Sequence, residues 1–126
     1  ANEYEAEYSR TFGGAVAEST LVTQAFLAAH SPQANFGSDD LAARLRSLAS
    51  VLPVFKAQGY KRQVYLVNWG SFDTHAEQRG SGERTQDTQL DTLAKALSAW
   101  DTANQASGIG SDVTTLVMTD FGRTLK

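Results

Sequence analysis

Cysteine is absent from this chain of 126 residues, which excludes disulfides, thiolate metal sites and cysteine nucleophiles together. Histidine occurs twice, so any imidazole chemistry rests on His30 or His75. Proline also occurs twice, as Pro32 and Pro53, and no proline-rich, repetitive or low-complexity stretch divides the chain. No apolar run approaches the roughly 18 residues that cross a bilayer, so no membrane span is expected. Positive charge is sparse: 11 Lys and Arg stand against 14 Asp and Glu, and Lys61-Arg62 is the only adjacent basic pair. A net charge of −3 without a basic stripe leaves no electrostatic footprint for nucleic acid as a partner. Nor is there a basic segment followed by an apolar core, the pattern of a signal peptide. What remains is ordinary globular material, 41% apolar and 20% charged, in an amount that suits one domain over 1–126.

Apolar periodicity predicts the helices. Tyr4, Tyr8 and Phe12 recur every fourth residue, giving a turn or two of helix that Gly13-Gly14 breaks or loosens. Leu21, Val22, Ala25, Phe26 and Ala29 then line one face of a helix over 15–29, closed by His30-Ser31-Pro32. The helix dipole is sufficient to explain His30 at that end. Ser38 or Asp39 caps the next helix, whose buried stripe is Leu41, Leu45, Leu48, Leu52 and Phe55. Pro53 kinks or ends it, and Gly59 suits the left-handed position beyond its last turn. A long helix over 85–106 carries Leu90, Leu93, Leu97 and Trp100 as its stripe. Residues 1–37 thus read as a helical amino-terminal segment and 38–126 as the core.

Two runs have the composition of strands. Val64-Tyr65-Leu66-Val67 and the stretch from Val113 to Met118 are apolar and rich in β-branched residues, without polar alternation. Strands covered on both faces read this way. Strand, long helix, strand predicts a βαβ unit with two parallel strands and a right-handed crossover, and hence an α/β fold. Two strands leave two edges unpaired. The expectation is a partial α/β domain, a piece of a larger sheet, that self-associates through its free edges and uncovered apolar faces.

The polar motifs follow these two runs directly. The first is Trp69-Gly70-Ser71-Phe72-Asp73-Thr74-His75, with Gln78 beyond it, and the second is Thr119-Asp120-Phe121-Gly122-Arg123-Thr124. Ligands of open α/β sheets bind beyond the carboxyl ends of the strands, so both motifs fall on one edge. Asp73 and His75 are two residues apart and point the same way in an extended segment. A carboxylate and an imidazole converging there suit a divalent cation such as zinc or manganese. Asp120 offers a further oxygen ligand, and Arg123 a forked donor for phosphate or sulfate. Thr124 adds a hydroxyl on the substrate side. The plainer alternatives are Asp73 capping a turn with His75 bonded beside it, and Asp120 as a turn residue ion-paired with Arg123.

At these two motifs the sequence resembles DUF1501, a bacterial family of uncharacterised secreted proteins remotely similar to the alkaline phosphatase and sulfatase superfamily. Gly70-Ser71-Phe72-Asp73-Thr74-His75 is similar to the family's Gly-Gly-Phe-Asp-Thr-His, with Ser71 in place of a glycine. Thr119-Asp120-Phe121-Gly122-Arg123-Thr124 is similar to its Ser-Asp/Glu-Phe-Gly-Arg-Thr segment. The likeness covers most of 40–126 and is weak before 38. It implies a slice of a three-layer α/β/α sandwich from a periplasmic or secreted protein. It also implies a metal-dependent hydrolase of phosphate or sulfate esters, with Asp73, His75 and Asp120 as candidate ligands to zinc, manganese or calcium. Arg123 and Thr124 would then face the anionic small-molecule ester, while the nucleophile stays unassigned. The alternative is a binding or assembly module of the cell envelope that keeps the fold without catalysis.

Overall fold

The computed structural model describes residues 2–76 and 78–123. Helix α1 (Glu3–Ala28) opens on a capping box, in which the Asn2 side chain accepts from the Tyr4 amide at 2.8 Å and Glu5 from the Asn2 amide at 3.2 Å. It runs unbroken through Gly13-Gly14, correcting the expected break. Each glycine lowers helix propensity by about 1 kcal/mol relative to alanine, which strains a helix without stopping propagation between two helical flanks.

Asp39, rather than Ser38, caps α2 (Asp40–Ala57), accepting from the Ala42 amide at 2.9 Å. Pro53 lies inside α2, which continues one more turn to Ala57 before Gly59 takes φ +90°. Helix α3 (Gln86–Ala106) starts from Thr85, whose hydroxyl accepts from the Thr88 amide at 3.3 Å. A short 3-10 turn, Gly110–Asp112, follows, and Asp112 pairs with Lys56 of α2 at 2.6 Å.

The core lies between α2 and α3. Leu41, Ala42, Leu45 and Ala49 meet Ala96, Ala99, Trp100 and Ala103, with Phe36 closing one end. The apolar part of the buried face of α3 is therefore alanine and tryptophan, while Leu90 of the expected stripe is exposed. Small side chains let two helices approach closely, so the leucines fall to the flanks of the contact. Helix α1 reaches this body only through its last turns, where Ala25 packs with Val51 and Phe55. Every residue from Asn2 to Gln24 is exposed.

The predicted α/β fold is not what forms: among the described residues there are three α-helices and no strand or sheet. The βαβ unit with two parallel strands, and with it the α/β/α sandwich, are overturned by this all-helical architecture. Both β-type runs follow the helices as unpaired chain without regular secondary structure. In the first, Val67 and Trp69 turn onto the α2–α3 core while Val64 is 98% and Leu66 84% exposed. Arg44 of α2 holds this run by donating to the Asn68 carbonyl at 2.8 Å. In the second, Val113 faces the core, and Thr115 accepts from the Trp100 indole at 2.8 Å. Side-chain composition favours extended backbone, but a strand exists only where a neighbour accepts its hydrogen bonds. Neither run was covered on both faces. No described helix is long and apolar enough to cross a membrane.

Candidate functional site

The first motif is set by what lies on either side of it. Trp69 is anchored on the core, and its ring meets Phe72 edge-on with centroids 5.2 Å apart. Between them Ser71 adopts φ +85°, a left-handed conformation at the position where the family resemblance places glycine. A side chain there costs about 1–2 kcal/mol, which glycine avoids at the expense of a looser unfolded chain. Ser71→Gly is expected to raise stability by about 0.5–1 kcal/mol in urea unfolding, the balance of those two terms. An unchanged or lower midpoint would show the turn to be unstrained.

Gln89, buried on the first turns of α3, holds the loop from behind. Its amide donates to the Ser71 carbonyl at 2.8 Å and to the Arg84 carbonyl at 3.2 Å. Sequence reading missed this residue. Its signal was a glutamine on the same helical face as Ala96, Trp100 and Ala103, a polar group inside a stripe that packs. Further along, the Thr74 hydroxyl donates to Gln78 at 3.0 Å, and the Gln78 amide returns a bond to the Thr74 carbonyl. The Gln86 amide donates to the Gln78 carbonyl at 2.9 Å, tying the loop to the start of α3. Asp87 completes that junction by accepting from the Gly80 amide at 3.0 Å and from Arg79 at 2.8 Å. The Gly80 bond, followed by the Arg79 bond and charge, holds the Asp87 carboxyl below its usual range.

Asp73 and His75 stand side by side on this loop, His75 Nε2 lying 3.4 Å from Asp73 Oδ1, and both are exposed. That separation is long for a hydrogen bond. It matches the edge of a tetrahedral ligand shell, about 3.3 Å for nitrogen and oxygen donors bound to zinc. As two donors of a cation site the pair fits. No group of three or more His, Asp or Glu side chains arranged to hold a metal occurs among the described residues, so Asp120 does not join them.

Arg123 brings the second motif to the first. Its guanidinium donates to the Thr74 carbonyl at 2.9 Å and to the Phe72 carbonyl, and it lies 5.3 Å from the centroid of the Phe121 ring. Those partners differ from the expected ion pair with Asp120. Segments about fifty residues apart in sequence thereby share an open cleft of about 330 Å³, lined by Asp73, Gln78, Phe121, Gly122 and Arg123. Thr124 lies outside the described residues. The two motifs meet without a sheet beneath them, held by one arginine and two backbone carbonyls.

No curated protein and no solved structure matches the chain. A model of the DUF1501 family, described as a protein of unknown function, matches residues 3–126 and so extends across α1 as well as both motifs. The chain belongs to the DUF1501 family.

Proposed function

We propose that the cleft between the two motifs is a divalent-cation-dependent site for phosphate or sulfate esters, in a protein that works outside the cytoplasm. The observation that carries this reading is the convergence of Asp73, with His75 beside it, and Arg123 on one open cleft. Asp73 and His75 would hold the cation, which when bound polarises an ester oxygen and stabilises developing negative charge. Zinc, manganese and calcium are the candidates, and the imidazole favours the first two. Arg123 gives Nη1 and Nη2 to the first motif and keeps its charge at the cleft, where it attracts an anion. Remaining ligands and the nucleophile would come from groups beyond this pair.

A second reading has its own support. With two arms of the guanidinium committed to backbone carbonyls, Arg123 serves first as a clasp, as suits a binding or assembly module.

Calorimetric titration with zinc and with manganese separates the two. The chain should bind one equivalent, and Asp73→Ala and His75→Ala should each weaken binding at least about tenfold while helix content is unchanged. Equal binding by all three proteins would remove the cation site and leave the assembly reading.

A further inference from the structure

Helix α1 presents an apolar stripe that nothing among the described residues covers. At 100° per residue, Tyr4, Tyr8, Phe12, Ala15, Val22 and Phe26 fall within one narrow sector of its surface. Tyr4 is 83% exposed, and Tyr8 and Phe12 stack on each other at 6.0 Å in solvent. Ala25, which meets α2, lies on a different side of the helix. A helix with two internal glycines and several Ser and Thr residues does not support itself in water, so a covering partner is required.

We infer that α1 is a dimerisation helix, pairing antiparallel with α1 of a second copy of this chain about a twofold axis at Ala15. Phe12 apart, whose reflected position is Glu18, the stripe is symmetric about that residue. Tyr4 comes opposite Phe26 of the copy and Tyr8 opposite its Val22, while the small Ala15 meets itself, so these positions match their own rotated image. Charge fixes the direction. Glu3, Glu5 and Glu7 load the first turns with negative charge, whereas no charged residue occurs from Ser19 to Ala29. Parallel pairing sets the acidic turns against each other, and antiparallel pairing sets them beside the neutral half with the helix dipoles opposed. Size agrees as well. The four rings, 47–83% exposed, offer roughly 400–650 Å² per chain, and Ala15, Val22 and the flanking stems bring this toward the 800 Å² or so that a stable dimer buries per partner. The inference rests on α1 alone and is independent of the cleft reading.

The chain has no cysteine, so a single introduced one reports geometry directly. Sedimentation equilibrium should find a dimer, and Tyr8→Glu with Phe12→Glu should weaken it at least a hundredfold while the Trp100 near-ultraviolet signal persists. Oxidised Ala15→Cys should give a covalent dimer in high yield. Tyr4→Cys should not, because the two copies of that residue would lie roughly 33 Å apart along the axis. Equal cross-linking at both positions would mean parallel pairing and overturn the inference. A monomer at 100 µM or so would overturn it too, leaving the stripe to a partner of different sequence. A dimer indifferent to the double variant would assign association to the exposed runs around Leu66 and Leu116 instead, also against it.

Discussion

Trp100→Ala lowers the unfolding free energy by about 3–5 kcal/mol, most of what a domain of this size has to lose. The ring is buried in the α2–α3 contact among alanines that have no side-chain length with which to fill the space it leaves. The same residue also tethers the second β-type run through its indole N–H and the Thr115 hydroxyl. Trp100→Phe separates the two roles. It keeps most of the apolar area and loses the bond, so it should fall by about 1 kcal/mol from the bond itself, with a smaller share from volume. Denaturant titration followed by far-ultraviolet circular dichroism measures both. If alanine and phenylalanine proved equally mild, the α2–α3 contact would not be the core.

Gln89→Glu should destabilise the chain by about 3 kcal/mol at neutral pH, more than Gln89→Ala, despite its closer shape. The amide now donates to two carbonyl oxygens, Ser71 and Arg84, and a carboxylate in its place faces both with no proton to offer. Burial and those carbonyls favour the neutral acid, so the folded state raises the pKa of the new carboxyl above its unfolded value. The stability of this variant is therefore greatest at low pH, where the protonated acid still donates, and falls as pH rises through the raised pKa. Gln89→Ala lacks that profile. Because the Ser71 carbonyl is two residues from Asp73, both variants should weaken cation binding at the cleft, with Gln89→Glu recovering toward acid pH in stability but not in affinity. A flat pH profile for Gln89→Glu would place the side chain in solvent rather than behind the loop.

The helices were largely legible because their signals are local. Asp39 and Thr85 stand where caps belong, and Gly59 takes the left-handed φ that its place after α2 demands. Gly13-Gly14 misled because a weak position is not a boundary when both flanks propagate. The inner face of α3 was misread in favour of its leucines, since periodicity finds an apolar stripe without saying how closely a partner helix approaches. The α/β reading failed on a longer-range matter. Val64 to Val67 and Val113 to Met118 have the composition of strands, but pairing depends on a neighbour that composition alone cannot supply. At the site, the motifs themselves were plain, and Ser71 kept the backbone that a glycine position implies. How they meet was not. The clasp by Arg123 depends on two main-chain carbonyls, which no residue pattern encodes.

That clasp also fixes an order of events. Arg123 reaches back to Thr74 and Phe72 across a closed loop that contains all of α3, whereas the α2–α3 contact needs nothing beyond Ala106. The helical pair can therefore form before the clasp closes, since it depends on neither motif. The Asp73 loop consequently waits on a finished scaffold, and the cleft is the last feature to close and, on unfolding, among the first to open. Hydrogen exchange at Thr74 should run ahead of exchange at Ala99 under conditions where the helices remain intact.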